Sequence, residues 1–138
     1  MLIGEYAHNL DPKGRLSFPA KLREGLGETF VVSKNTDGCL CAYSHDEWSA
    51  LSAKIRELPT QKSKAVQRFL AGSLEAEPDK QGRVLIPAHL REYAGLSKDI
   101  MVIGASTRVE IWDKTRWEDV CGNMTQEELS EIMDELVF

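Results

Sequence analysis

The sequence predicts a duplicated α+β fold, mainly β with helices between and after its two halves. The phrase DPKGRLSFPAKLRE at residues 11–24 recurs as DKQGRVLIPAHLRE at residues 79–92, with eight identities in fourteen positions. A second shared segment follows each phrase, at residues 43–48 and 112–117. Short apolar runs of strand length lie within each half, whereas helical spacing marks the connection and the end of the chain.

Each half is too short to bury a stable core easily, so we expect the two halves to share one core about a pseudo-two-fold axis. Two independent small domains are the alternative. The expected segments are a first half at 4–48, a helical connection at 49–72, a second half at 73–117 and a C-terminal helix at 118–138.

The first element is a strand at residues 3–10 that ends in a turn at Asp11-Pro-Lys-Gly14. Aspartate at the first position accepts hydrogen bonds from the following backbone, and glycine suits the fourth position. Asp79 and Gly82 repeat this turn in the second half. These four residues are therefore predicted to form two matching loops.

Each turn is followed by a short strand and a short helix, and each helix is opened by a proline and ended by a glycine. In the first half the strand is 15–18, and the helix begins at Pro19 and ends at Gly27. In the second half the strand is 83–86, and the helix begins at Pro87 and ends at Gly95.

A hairpin and a capped helix complete each half. The hairpins pair 29–34 with 39–43 and 100–103 with 107–112. Ser44 and Asp113 are predicted N-caps of the helices that follow. The flanking aromatic pairs occupy hydrophobic-staple positions, which indicates a structural role for Tyr43, Trp48, Trp112 and Trp117.

The connection and the C-terminal segment carry helical apolar spacing. The first helix of the connection stops at Pro59, and a second precedes the repeat. Thr125 and Glu128 form a capping box for the last helix. Its apolar stripe needs a partner surface, either on its own domain or on a neighbouring subunit. The stripe comprises Leu129, Ile132, Met133, Leu136 and Val137.

Composition excludes several classes of protein. Three cysteines without metal-type spacing favour a reducing compartment over a disulfide framework or a zinc site. No apolar run reaches the length of a membrane span and the N-terminus does not resemble a secretion signal, so a cytoplasmic protein is expected. The sequence has no phosphate loop, nucleophile elbow or metal cluster, so we expect no enzyme, cofactor, metal or small-molecule substrate.

The net charge of −5 is unevenly distributed. Residues 109–138 contain nine acidic and two basic groups and carry −7, which leaves +2 on the preceding 108 residues. An acidic C-terminal segment therefore masks a mildly basic body, and the overall sign does not argue against nucleic acid.

Arg15 and Arg83 follow the two turns, and Lys13, Lys80 and Gln81 lie at the tips. The planar guanidinium fork of arginine matches phosphate and guanine, so these five residues are candidates for DNA binding. The alternative is that each arginine only pairs with its turn aspartate and stabilises the turn.

Arg23 and Arg91 lie on the short helices beside Glu24 and Glu92. Here a structural salt bridge is favoured over a DNA contact.

The pattern Asp-x-x-Gly-Arg-x-x-x-Pro-x-x-x-Arg, present twice and followed by the segments ending at Trp48 and Trp117, resembles the MraZ family of bacterial transcriptional regulators. The resemblance implies a duplicated swapped-hairpin AbrB-like β-barrel and ring-shaped homo-oligomers. It also implies binding to direct repeats of double-stranded DNA upstream of the protein's own gene in a division and cell-wall gene cluster, usually with repression.

The resemblance implies a nucleoid-associated protein whose DNA-contacting loops are 11–15 and 79–83. The leading hypothesis is therefore a DNA-binding transcriptional repressor. A protein- or peptide-binding module without DNA binding is the alternative, motivated by the apolar C-terminal stripe and the acidic tail.

Overall fold

The computed structural model describes residues 1–136 and contains eight strands and six helices in this range. The strands are β1 (Leu2–Asn9), β2 (Arg15–Ser17), β3 (Phe30–Lys34), β4 (Leu40–Tyr43), β5 (Leu74–Ala76), β6 (Arg83–Leu85), β7 (Asp99–Ser106) and β8 (Val109–Asp113). The helices are α1 (Ala20–Leu26), α2 (His45–Glu57), α3 (Thr60–Leu70), α4 (Ala88–Ala94), α5 (Lys114–Gly122) and α6 (Gln126–Asp134).

Six strands form one antiparallel sheet in the order β1-β7-β8-β4-β3-β5. The hairpin of each half lies at the centre, where β4 pairs with β8. The first strand of each half pairs with the hairpin of the other half, since β1 pairs with β7 and β5 pairs with β3. Both halves therefore build one sheet.

The remaining strands, β2 and β6, form a separate two-stranded antiparallel ribbon. Leu16 and Val84 from this ribbon are buried in the main hydrophobic core. The core also contains Phe30 and Ile111 of the sheet, together with buried residues of α1 and α4. The predicted α+β class and duplication are confirmed, while the strand pairings among residues 1–136 leave the sheet open and do not close a barrel.

The predicted helix signals are confirmed. The Ser44 hydroxyl accepts a hydrogen bond from the Glu47 amide at 3.2 Å, and the Asp113 carboxylate accepts one from the Arg116 amide at 3.4 Å. The staple rings are in contact, with centroids 5.7 Å apart for Tyr43 and Trp48 and 5.9 Å for Trp112 and Trp117. The aromatic pairs therefore serve the fold.

Two helices, α5 and α6, follow β8 and are separated by a break at residues 123–125, in agreement with the caps predicted at Asp113 and Thr125. Thr125 caps α6 as predicted, accepting from the Glu128 amide at 3.1 Å. The stripe residues from Leu129 to Leu136 are exposed, so within the chain they do not pack on the main core. Val137 lies outside the described residues. No helix in the described range is long and apolar enough to cross a membrane.

Candidate nucleic-acid interface

Both predicted loops are built around the aspartate that opens them. The Asp11 Oδ1 atom accepts hydrogen bonds from the backbone amides of Lys13 and Arg15, at 2.9 and 2.8 Å. The Asp11 Oδ2 atom accepts from Arg15 Nε at 2.6 Å. One carboxylate thus closes the turn and holds the arginine that follows it.

The second loop repeats this arrangement. Asp79 Oδ1 accepts from the amides of Gln81 and Arg83, both at 2.9 Å, and Asp79 Oδ2 accepts from Arg83 Nε, also at 2.9 Å. The pKa values of Asp11 and Asp79 lie below the ordinary value of 3.8. The main cause is the hydrogen bond that each carboxylate accepts from a backbone amide, that of Arg15 in the first loop and that of Arg83 in the second. Both carboxylates are therefore ionised at neutral pH.

The ion pairs leave donor atoms of each arginine for other acceptors. Each pairing uses Nε, so the two terminal nitrogens of the guanidinium can still donate. The side chains of Arg15 and Arg83 remain 32% and 29% exposed. A role of these arginines in stabilising the turn and a role in binding DNA are thus compatible, because the aspartate that fixes the turn also orients the guanidinium.

The ribbon brings both arginines to one face. Arg15 pairs with Leu85 and Ser17 pairs with Arg83, and residues directly opposite share a face of an antiparallel pair. The intervening Leu16 and Val84 point into the core. We call this outer surface, formed by Arg15, Ser17, Arg83 and Leu85, the ribbon face.

Arg15 and Arg83 lie diagonally across the ribbon face, about 7–8 Å apart at their Cα atoms. Their loops leave from opposite ends of the ribbon, because the two strands are antiparallel. The loop tips carry the exposed Lys13, Lys80 and Gln81. Cationic side chains therefore lie on the ribbon face and at the tips of the two loops that lead into it.

Each loop is covered by an arginine from the other half. A Cβ atom added at Gly14 would lie 3.0 Å from Arg91 Cζ, and one added at Gly82 would lie 2.9 Å from Arg23 Cζ. Both glycines are buried and have positive φ, of 86° and 77°. Glycine is needed here both for the backbone conformation and for the close approach of the guanidinium.

The covering arginines are held by backbone oxygens. Arg91 Nε donates to the Ile86 carbonyl at 2.9 Å, and the Ile86 amide donates to the Gly14 carbonyl at 2.9 Å. Arg23 makes the equivalent bond to the Phe18 carbonyl at 2.9 Å, and the Phe18 amide donates to Gly82. These bonds tie each loop to the opposite strand of the ribbon.

The prediction that Arg23 pairs with Glu24 and Arg91 with Glu92 in salt bridges is wrong. Each guanidinium turns towards a carbonyl oxygen and the loop glycine of the other half instead. Sequence reasoning also missed Leu85, which is 57% exposed on the ribbon face. The alternation after Arg83 was the available signal, since Leu85 is two residues further along the same strand.

The ribbon face suits a nucleic-acid groove. The major groove of B-DNA admits a two-stranded β-ribbon, and arginine donates paired hydrogen bonds to guanine or phosphate. The exposed Leu85 is available for apolar contact with a thymine methyl group. These donor groups make the ribbon face a candidate surface for contact with double-stranded DNA.

The chain is similar to proteins of one family. A family model described as "MraZ protein, putative antitoxin-like" matches the chain twice, over residues 1–70 and 69–137. A protein named transcriptional regulator MraZ from Acetivibrio thermocellus is 56% identical over 138 residues and covers 96% of both chains. Its namesake from Thermoanaerobacter sp. strain X514 is 51% identical over 141 residues, with 99% of both chains covered. Such names belong to regulators, which confirms the expectation of a non-enzymatic protein.

Proposed function

The chain belongs to the MraZ family, and we propose that it is a sequence-specific DNA-binding transcriptional regulator that acts as a repressor. The observation that carries this proposal is the ribbon face, where Arg15 and Arg83 are oriented by their turn aspartates and lie partly exposed on the same side of the ribbon. The names of the relatives support regulation of transcription.

The proposed roles follow the geometry of the loops. Arg15 and Arg83 contact base edges or phosphates, and the residues at the tips assist them. The assisting residues are Lys13, Lys80 and Gln81, and the loop-forming residues are Asp11, Gly14, Asp79 and Gly82. The division into halves at 4–48 and 73–117 around a connection at 49–72 remains part of the same proposal.

The proposed target is a set of short direct repeats upstream of the protein's own gene, within a division and cell-wall gene cluster, bound in the nucleoid region of the cytoplasm. We propose a homo-oligomer, in the form of a ring, as the binding species. Several ribbon faces on tandem repeats would raise avidity without a strongly basic chain. The exposed apolar stripe of α6 is one surface available for self-association.

Fluorescence anisotropy on DNA from upstream of the gene, compared with scrambled DNA over a salt series, tests the proposal. We expect the wild type to prefer the upstream DNA, with log K falling linearly against log salt. The Arg15→Ala/Arg83→Ala variant should lose this preference, because it removes both donor groups from the ribbon face.

A matched control is the Lys54→Ala/Arg56→Ala variant, which removes two exposed cations from α2 and leaves the ribbon face intact. It changes the net charge equally, so it should keep nearly wild-type affinity. Equal losses of DNA affinity in the two variants would show that the change in net charge, and not the ribbon face, accounts for the effect. A folded wild type with no DNA binding at any salt would favour the alternative, a protein- or peptide-binding module.

A further inference from the structure

The seam between the two halves brings two thiols and a carboxylate together on the face of the sheet opposite the main core. Cys41 lies on β4 and Cys39 immediately precedes this strand, and both side chains belong to one small buried cluster with Ile103 and Trp112. Glu110 is the direct partner of Cys41 in the β4–β8 pairing. The two Sγ atoms and a Glu110 carboxylate oxygen all lie within 4.8 Å of one another.

We propose that Cys39, Cys41 and Glu110 bind one Zn²⁺ ion, which bridges β4 of the first half and β8 of the second. Thiolate sulfur and carboxylate oxygen are both established zinc ligands in proteins. Three protein ligands leave a fourth position for water.

The separation of the ligand atoms is close to what zinc requires. With a Zn–S distance of about 2.3 Å, two sulfurs in tetrahedral coordination are about 3.8 Å apart. The observed 4.8 Å limit therefore needs a closure of about 1 Å at most, within reach of small side-chain rotations. The strand pairing already sets the positions of the backbone.

The surroundings of Glu110 resemble the outer shell of a metal site. Arg108 Nε and Nη2 donate to Glu110 Oε2 at 3.2 and 2.8 Å, and Trp112 Nε1 donates to Oε1 at 3.0 Å. Such hydrogen bonds orient a ligating carboxylate, and three donors on about four lone-pair sites leave one site on Oε1 for a metal.

The charges also balance. Two thiolates and one carboxylate carry −3, and Arg108 contributes +1 beside them. One Zn²⁺ ion makes the cluster neutral, which a buried group of this kind requires. Both cysteines are fully buried, and their small second cluster includes Ile103 and Trp112.

Loss of the two thiol protons must accompany binding, because zinc binds thiolates and releases protons to solvent.

The test uses the full chain, reduced and freed of metal, then incubated with Zn²⁺ and separated from unbound ion by gel filtration. We expect about one zinc per chain and a higher unfolding temperature with zinc, because a ligand that binds only the folded state stabilises it. With Co²⁺ as a probe, a thiolate-to-metal charge-transfer band should appear.

The Cys39→Ser/Cys41→Ser variant should lose the zinc and the cobalt band, whereas Cys121→Ser, which removes the exposed thiol on α5, should keep both. Glu110→Gln should weaken zinc affinity by at least about tenfold. This variant also keeps the proposal testable if the serine pair does not fold. Zinc binding that is absent from the folded wild type, or unchanged in Glu110→Gln, overturns the proposal.

Discussion

Replacing Gly14 by alanine tests whether an arginine from the second half positions the first loop. Gly14 has φ +86°, and its added Cβ would meet Arg91 Cζ at 3.0 Å. Gly38, in the hairpin between β3 and β4, has a similar φ of +92°, but its added Cβ finds its nearest neighbour, Arg116 Nη1, at 3.6 Å. Gly38→Ala is therefore a matched control with similar backbone strain and ordinary contact.

The expected magnitudes separate the two variants. Both place alanine in the left-handed region, which costs about 1–2 kcal/mol of stability. In Gly14→Ala the Arg91 guanidinium must also give way by a few tenths of an ångström, which strains its bond to the Ile86 carbonyl, and complete loss of a charged hydrogen bond costs about 1.5–3 kcal/mol. Gly14→Ala should thus be the more destabilising substitution, by an amount up to that cost.

Denaturant unfolding followed by tryptophan fluorescence measures stability, and anisotropy measures binding to the upstream DNA. If Arg15 contacts DNA, displacement of its loop should weaken binding about tenfold or more for Gly14→Ala, with little change for Gly38→Ala. Equal losses of stability in the two variants, with equal DNA affinity, would refute the positioning role of Arg91.

Three further results are expected. Lys13→Ala should reduce the salt slope of DNA binding by about one, whereas Gln81→Ala at the equivalent position should leave it unchanged; the reverse order would contradict the proposed loop contacts. Because the pKa values of Asp11 and Asp79 are lowered in the folded protein, their stabilisation of the loops is complete above the ordinary pKa of 3.8. This stabilisation is lost as the pH falls through the lower pKa values of the folded state. Protection of the loop amides, taken relative to the intrinsic exchange rate at each pH, should therefore fall only in acid, and a loss of protection near neutral pH would count against this. Asp113→Ala should cost about 1–2 kcal/mol in denaturant unfolding, because it removes the cap of α5; a change near zero would show that water replaces the cap.

Local signals in the sequence were sufficient for most elements. The two turns, the prolines before α1 and α4, and the caps Ser44 and Asp113 act through residues within about four positions of one another. Interactions of this range depend on the local chain alone. The loop residues and the candidate arginines were therefore identified before the fold was known, while their DNA contacts remain a prediction.

The pairing between halves could not be read in the same way. Each half carries an arginine at the same distance after its loop glycine, Arg23 after Gly14 and Arg91 after Gly82. The sequence is therefore equally compatible with an arginine that contacts the glycine of its own half or that of the other half. The pairing of β2 with β6 decides it, because the Ile86 amide bonds to the Gly14 carbonyl and the Phe18 amide bonds to the Gly82 carbonyl, which brings each arginine over the other half's glycine.

The sequence by itself determined the duplicated unit, its turns, its caps and its α+β class, because these follow from short-range preferences and from the repeat. The tertiary structure decided the common orientation of Arg15 and Arg83, and it placed Glu110 beside Cys41, 69 positions earlier in the chain. The physical reason is that strand register across a sheet depends on packing of the whole core, which no local segment contains.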